Sequence, residues 1–161
     1  MKKLIMTCGV PGSGKSSWNK AYAANHENVR IVDTDEVRFS VMGDYQTFPE
    51  DRHILYDKMI QLGNEWFALH ENEDCTVIED STFTDNYRRK YYMERLKGYD
   101  EATLILFKMH DYSICYKRNK MRRKEKWVPD EVITSFIKNY KEPTEEVKKY
   151  FKTIRVIYLD E

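Results

Sequence analysis

The sequence has few cysteines and no long apolar run, and these two absences exclude several classes of protein. Its three cysteines are widely spaced and form no CxxC pair, so they suit a reducing compartment and support neither a disulfide framework nor a zinc site. No stretch approaches the roughly 20 consecutive apolar residues that a membrane-spanning helix needs. The apolar residues near the start lead into PGSGKSS rather than into a signal-peptide cleavage site. We therefore expect a cytoplasmic protein with no membrane segment.

Net charge is also absent, because 27 basic and 27 acidic residues cancel. A neutral total gives no electrostatic preference for nucleic acid, membranes or acidic partners. The distribution is nevertheless uneven, since KRNKMRRKEK at 117–126 holds seven bases and one acid. With 161 residues the chain is long enough to bury a core, and we expect a single domain over residues 1–161.

What the sequence does contain is an alternation of short apolar runs with helix-like segments. The apolar runs are rich in Val, Ile, Leu and Thr and short enough for buried strands, and they span 4–9, 29–33, 75–80, 102–109 and 153–159. Helices are predicted within 50–71, 84–97 and 111–122, after Pro129 and near 142–144. This order predicts an α/β fold in which about five strands form a mainly parallel sheet with helices on both faces.

One motif points to a specific chemical function. GVPGSGKS at 9–16 fits GxxxxGK[ST] without a gap, follows the first predicted strand and opens a helix-like segment. Glycines let successive backbone N–H groups turn toward a phosphate, and the helix N-terminus adds partial positive charge. Lys15 can then reach the β- and γ-phosphates, and the Ser16 hydroxyl can hold Mg²⁺. The predicted nucleoside triphosphate site consists of Gly9, Pro11, Gly12, Ser13, Gly14, Lys15, Ser16 and Ser17.

Acidic residues follow two other predicted strands, at the edge where ligands bind in parallel sheets. In VDTDEVR, Asp33 and Glu36 have the spacing of a helix-capping pair. Asp35 and Arg38 then lie on nearly the same face of the helix, where they can bind a hydroxyl and an anionic group of one acceptor. The helix N-terminus is expected to lower the pKa of Asp35. Asp80 ends another apolar run, and it could hold magnesium through water, help fix Arg38 or cap the next helix.

The basic run at 117–126 has three interpretations: a solvated face, a lid over the transferred phosphate, or a contact to a nucleic-acid backbone. Arg118 and Arg122 would point the same way from a helix, which favours the lid. Tyr45 and Phe48 follow the DEVR helix in a loop. Because loop aromatics more often pack under their own loop, we leave these two outside the predicted site.

Four segments that carry these features occur in order: GVPGSGKSSW (9–18), DEVR (35–38), VIEDST (77–82) and KRNKMRR followed by VP (117–129). In combination they resemble the kinase domain of bacteriophage 5′-polynucleotide kinase. The resemblance implies the P-loop kinase fold, a five-stranded parallel sheet with an Arg-rich lid at about 112–128. It also implies ATP and Mg²⁺ as cofactors, and phosphoryl transfer to the 5′-hydroxyl of single-stranded or end-frayed DNA or RNA. The sequence has no DxDGT-like motif of the phage enzyme's 3′-phosphatase domain, so we expect kinase activity only.

The resemblance further implies a role for each matching residue on the donor side of the reaction. Lys15 and Ser16 hold the donor phosphates and magnesium. Arg122, with Arg118 nearby, belongs to the lid over the donor phosphates. A chain encoded by a phage would carry out this reaction in the host cytoplasm.

On the acceptor side, the resemblance implies that Asp35 engages the 5′-hydroxyl as general base and that Arg38 contacts the acceptor's own phosphate. Asp80 supports the acceptor site. Two other functions stay open on the residues alone. P-loop kinases of nucleosides, sugars, antibiotics or nucleotide-sugars share a similar layout of an acid and an arginine, and a non-catalytic nucleotide-binding protein would need only the phosphate loop.

Overall fold

The computed structural model describes residues 1–161, and the elements surround one five-stranded sheet. Every strand pair is parallel, and the strand order is β2-β3-β1-β4-β5. The strands are β1 (Lys2–Cys8), β2 (Val29–Asp33), β3 (Cys75–Asp80), β4 (Glu101–Lys108) and β5 (Thr153–Tyr158). Each bound lies within two residues of the predicted one, so the predicted parallel α/β sheet is confirmed.

Seven α-helices connect and cover the strands. They are α1 (Lys15–Ala24), α2 (Thr34–Met42), α3 (His53–Leu69), α4 (Asn86–Arg95), α5 (Ser113–Met121), α6 (Asp130–Asn139) and α7 (Glu145–Lys148), and a 3₁₀-helix spans Lys124–Lys126. The helices predicted within 50–71, 84–97 and 111–122 are confirmed as α3, α4 and α5, and their bounds differ from the predicted ones by at most three residues. No helix of the chain combines the length and the apolar character that crossing a membrane requires.

The three central strands β3, β1 and β4 are largely buried on both faces, which explains why they read as apolar runs, whereas the edge strand β5 is mostly exposed. On one face, Leu4 and Met6 of β1 belong to the largest core cluster, which also includes side chains of α2, α3, α4 and α7. On the other face, Ile5 and Phe107 pack against α1 through Trp18. Full burial of a side chain of this size contributes roughly 1.5–3 kcal/mol relative to leaving it exposed. The core therefore holds the sheet as a rigid base for the loops at its edge.

The strand register brings the candidate site together. β1 is the central strand, β3 lies beside it, and β2 lies beside β3. The Cα partner of Thr7 is Asp80, and the Cα partner of Asp80 on the other side is Asp33. Because parallel strands end at the same edge, the phosphate motif after β1, the end of β3 and the start of α2 all meet there.

Candidate active site

The phosphate loop joins β1 to α1 and contains two glycines with left-handed backbone conformations. Gly12 has a φ of +81° and Gly14 a φ of +98°, which side chains rarely permit. A Cβ at Gly12 would also lie 2.2 Å from the carbonyl oxygen of Cys115 in α5. Gly14 precedes α1, whose first N–H groups have no acceptor within the helix. The local conformation therefore suits a bound phosphate.

Lys15 lies in the first turn of α1 and faces the end of β3. Its Nζ is 3.3 Å from Oδ1 of Asp80, and that oxygen also accepts a hydrogen bond from the Thr7 hydroxyl at 3.3 Å. The Asp80 side chain is only 6% exposed. Asp80 forms no hydrogen bond or ion pair with Arg38, so its carboxylate belongs to the phosphate half of the site. Asp80 does not cap the next helix either, because Asp85 caps α4, and the contact of Asp80 to magnesium through water stays a prediction.

The start of α2 holds the other half of the site, which we name the acceptor half after the predicted role of Asp35 and Arg38. Asp33 caps the helix as predicted, because its side chain accepts a hydrogen bond from the N–H of Asp35 at 2.9 Å. Asp35 lies between two guanidinium groups. Its Oδ1 is 3.1 Å from Nη1 of Arg38, and its Oδ2 is 2.6 Å from Nη2 of Arg122. The predicted pairing of Asp35 with Arg38 is present, and Arg122 adds a second contact.

The pKa values of the two aspartates at the start of α2 are shifted in opposite directions. Burial, together with the negative charges of Asp80 and Asp35, raises the pKa of Asp33 to about 6. Burial also pushes the pKa of Asp35 upward, but the charges of Arg122, Lys15 and Arg38 outweigh burial and leave that pKa below its ordinary value. The predicted direction for Asp35 is therefore present, although its cause lies in three basic side chains.

Arg118 and Arg122 do not point the same way, contrary to the sequence prediction. α5 ends at Met121, so Arg122 lies just beyond the helix, where its backbone is extended with a ψ of 162°. Arg118 donates a hydrogen bond to the carbonyl oxygen of Ser13 in the phosphate loop. Arg122 instead pairs with Asp35 at the start of α2. The arginine run thus contacts both halves of the site.

The capping prediction for Glu36 is wrong, because this carboxylate turns toward the segment that follows α5. Its Oε1 is 3.2 Å from Nζ of Lys126 and accepts a hydrogen bond from the Tyr45 hydroxyl at 3.1 Å. A second contact joins the same two regions, because the side-chain amide of Gln46 donates a hydrogen bond of 2.7 Å to the carbonyl oxygen of Glu125. These contacts join the segment after α5 to α2 and to the loop that follows α2. They therefore connect the two halves of the site.

Both halves line one cavity of about 1280 Å³. A pocket for one small ligand commonly measures about 300–1,000 Å³, so this cavity has room for two substrates. Every predicted site residue lines it except Gly9, which begins the loop and donates its N–H to the carbonyl oxygen of Thr82. Nine basic side chains line the cavity against three acidic ones, Asp33, Asp35 and Asp80. The cavity is therefore strongly positive although the chain as a whole is neutral.

The sequence analysis missed several residues of the acceptor half. Arg52, Arg88 and Tyr56 line the cavity, and so do Tyr45 and Phe48, which we had placed outside the site. Arg88 had a usable signal, since it follows the acid-ended strand β3 within a few residues. Arg52 had none, because only the packing of a loop against the start of α3 brings it to the cavity.

Comparisons with known proteins support the kinase fold. A family model described as an AAA domain (AAA_33) matches residues 4–143. The L-seryl-tRNA(Sec) kinase of Methanococcus maripaludis is 26% identical over 147 residues, a match that covers 87% of this chain and 53% of that protein. The chain thus spans about half the length of this curated relative.

Solved structures with a similar fold include enzymes of different substrates. A gluconokinase from Sinorhizobium meliloti 1021 superposes with a TM-score of 0.60 at 19% identity, over 99% of this chain and 83% of that one. A chain of the Pnkp1/Rnl/Hen1 RNA repair complex gives a TM-score of 0.65 at 20% identity, over 94% of this chain and 46% of that one. At these identities the likeness shows the fold alone, which is that of P-loop kinases.

Proposed function

We propose that this chain, which belongs to the AAA_33 family of AAA domains, phosphorylates the 5′-hydroxyl of a DNA or RNA end. The family and the fold support an ATP-dependent kinase. The acceptor is single-stranded or end-frayed nucleic acid, and ATP is the donor. The catalytic domain comprises residues 1–161, and its lid comprises residues 112–128. The cytoplasmic location and the phage origin stay predictions.

The observation that carries this proposal is the position of Asp35. Its carboxylate lies between Arg38 and Arg122, at the junction of the phosphate half and the acceptor half of a strongly positive cavity. A carboxylate at this junction can hold an acceptor hydroxyl, and the surrounding bases favour an acceptor that is itself an anion. A nucleic-acid end combines both features, a free 5′-hydroxyl and a neighbouring phosphate.

On the donor side, the phosphates of ATP lie against the loop of Gly12 and Gly14 and the first turn of α1. Lys15 neutralises charge on the β- and γ-phosphates. The oxygen donors present fit a hard cation, since the Ser16 hydroxyl and the Asp80 carboxylate both line the cavity. Mg²⁺ would be held by Ser16 and, through water, by Asp80, and when bound it would offset the negative charge of the phosphates.

On the acceptor side, Asp35 orients the 5′-hydroxyl and receives its proton as the oxygen bonds to the γ-phosphorus and ADP departs. The lowered pKa of Asp35 makes it a weak base. That is sufficient for phosphoryl transfer, whose loose transition state depends mainly on positioning and electrostatic stabilisation. Arg38 holds the acceptor phosphate, and Arg122 moves from Asp35 to the transferred group, while Arg118 holds the phosphate loop.

A small-molecule hydroxyl is the second candidate acceptor. The fold is shared with a gluconokinase, and the matched L-seryl-tRNA(Sec) kinase points to seryl-tRNA as a further acceptor, which is not a small molecule. The contacts of Lys126 with Glu36 and of Gln46 with Glu125 join the segment after α5 to α2 and to the loop that follows it, and a site closed in this way would suit a small acceptor. An anionic sugar acid such as gluconate would also satisfy the charge of the cavity.

An end-labelling assay separates the two candidates. The protein is incubated with γ-labelled ATP, Mg²⁺ and a 5′-hydroxyl oligonucleotide, with gluconate, nucleosides and seryl-tRNA as rival acceptors. We expect label on the oligonucleotide, and we expect Asp35→Asn to abolish it, which excludes a contaminating kinase. Label on a small molecule or on seryl-tRNA, with none on the oligonucleotide, would reject the proposed acceptor.

A further inference from the structure

We propose that Arg52 and Arg88 form a second anion subsite beside Arg38, which binds the second phosphate of the acceptor and so makes a strand with at least two phosphates the preferred substrate. This inference rests on the proposed function, and it specifies the acceptor of the same site. The two arginines come from different helices, since Arg52 immediately precedes α3 and Arg88 lies in the first turn of α4. Both line the acceptor half of the cavity.

Arg38 and Arg52 are held together by one aromatic ring. Both guanidinium groups lie over the ring of Phe48, with their carbons 4.1 Å and 3.9 Å from its centroid. Burial lowers the pKa of Arg38, Asp35 offsets this effect, and the positive charge of Arg52 lowers that pKa further. Two like charges are thus kept close together at the cavity wall, where an anion between them would relieve their repulsion.

Arg88 adds a third guanidinium group, which the turn after β3 holds in place. It donates hydrogen bonds to the hydroxyls of Ser81 and Thr82. Its carbon lies 5.0 Å from the centroid of the Tyr56 ring, and Tyr56 is one helical turn beyond Arg52. Arg88 therefore contacts the first turn of α3, which Arg52 precedes.

The positive charge of this subsite is not neutralised by the protein. Neither Arg52 nor Arg88 forms an ion pair with a carboxylate, and the one carboxylate that pairs with Arg38 is shared with Arg122. A guanidinium group that no carboxylate neutralises can bind an anion, and its planar set of N–H donors suits the oxygens of a phosphate. These features indicate a subsite for an anion beyond the one at Arg38.

A 5′-hydroxyl strand presents its phosphates in a row behind the reacting hydroxyl. The phosphate 3′ to the first nucleoside belongs at Arg38, as the proposed function requires. The next phosphate along the strand then falls to Arg52 and Arg88. A sugar acid or a nucleoside has no second anion to place there, so the subsite distinguishes a strand from a small acceptor.

A matched pair of acceptors tests the subsite. A dinucleoside monophosphate and the same dinucleotide with a terminal 3′-phosphate differ only in the second phosphate, and both carry a 5′-hydroxyl. We expect the second phosphate to raise kcat/KM about tenfold in the native protein, because a charge-assisted hydrogen bond of this kind contributes at least that much. Arg52→Ala and Arg88→Gln should each reduce this ratio several-fold. Arg95→Ala is the control, since Arg95 stacks on Tyr91 outside the cavity and should leave the ratio unchanged.

Binding of a product strand provides a readout that is independent of catalysis. Fluorescence anisotropy with a 5′-phosphorylated trinucleotide at several salt concentrations gives the slope of log affinity against log salt. Loss of one phosphate contact should reduce the magnitude of this slope by about 0.7 for a single strand. We expect that reduction in Arg52→Ala and Arg88→Gln and not in Arg95→Ala.

The outcomes separate this inference from the function on which it rests. Equal kcat/KM for the two dinucleotides in the native protein, or an unchanged ratio in both variants, overturns the subsite and leaves the 5′-kinase standing. If neither dinucleotide is labelled, the proposed 5′-kinase activity is rejected, and the subsite is rejected with it. If Arg88→Gln does not fold because it loses its contacts to Ser81 and Thr82, Arg52→Ala decides the question, since Arg52 is exposed.

Discussion

Replacing Asp33 by asparagine should stabilise the protein, and the gain should depend on pH. Asp33 caps α2 through a hydrogen bond to the N–H of Asp35, and asparagine is an equally good cap with the same acceptor oxygen. What the substitution removes is a carboxylate that burial and the charges of Asp80 and Asp35 disfavour. The helix therefore keeps its cap, and the folded state loses an unfavourable charge.

The size and the sign of the effect follow from the pKa of Asp33, which is about 6 in the folded protein and 3.8 in its ordinary state. The folded protein binds the proton of the Asp33 carboxyl more tightly than the unfolded chain does. The contribution of this group to the free energy of unfolding is therefore complete below about pH 4 and is lost as the pH rises through about 6. The corresponding free energy is about 3 kcal/mol at most, and solvent near this partly buried group reduces it. The Asp33→Asn protein should thus match the native stability near pH 4 and exceed it above pH 7.

Urea unfolding of both proteins at several pH values between 4 and 8 measures this difference. Asp35→Asn is a matched control of opposite sign, because the pKa of Asp35 is lowered by Arg122, Lys15 and Arg38 against the effect of burial. Its carboxylate stabilises the protein above the ordinary pKa of 3.8, so this variant should be less stable by a nearly constant amount between about pH 5 and pH 8, and its deficit should shrink only below about pH 4. A free energy of unfolding for Asp33→Asn that exceeds the native value equally at pH 4 and pH 8 would refute the reasoning.

Three further substitutions test the parts of the site. Asp35→Ala should reduce transfer by about 10²–10⁴-fold with little change in ATP affinity, measured by kinetics and by nucleotide binding, and a collapse of ATP affinity would mean a structural role. Arg122→Ala should reduce kcat by about 10³-fold or more, and a change confined to the KM for the acceptor would contradict its assignment to the transferred phosphoryl group. Gly12→Ala should weaken ATP binding and lower Tm, because the new Cβ would lie 2.2 Å from the Cys115 carbonyl oxygen, and normal ATP affinity would show that the loop adapts.

Local patterns were sufficient for the fold and for the donor half of the site. Strand β3 was predicted with correct bounds, because burial of every residue on both faces favours a short run rich in apolar residues. The phosphate loop was predicted because its glycines, Lys15 and Ser16 are consecutive in the chain and act through the backbone. Asp35 and Arg38 were paired correctly for the same reason, since three residues along a helix bring two side chains together.

Contacts between residues that are far apart in the sequence could not be predicted from local patterns. Glu36 was assigned to capping, although its partner Lys126 is 90 residues away. Arg118 and Arg122 were expected on one helix face, and the end of α5 at Met121 separates them. At this point Asn119 bonds to the backbone of Val128, and the Trp127 ring N–H donates to the carbonyl oxygen of Arg122, contacts that the helix propensity of α5 does not reveal.

The sequence by itself determined a parallel α/β kinase fold with a nucleotide phosphate loop and an acid and an arginine at the acceptor edge, because each of these is encoded in neighbouring residues. Only the tertiary structure decided how charge is distributed in the cavity. The chain has equal numbers of acidic and basic residues, but nine basic and three acidic side chains line the cavity. No local pattern in the sequence predicts which side chains come together there. Arg52 and Arg88 reach the acceptor half only because α3 and α4 pack beside the end of β3.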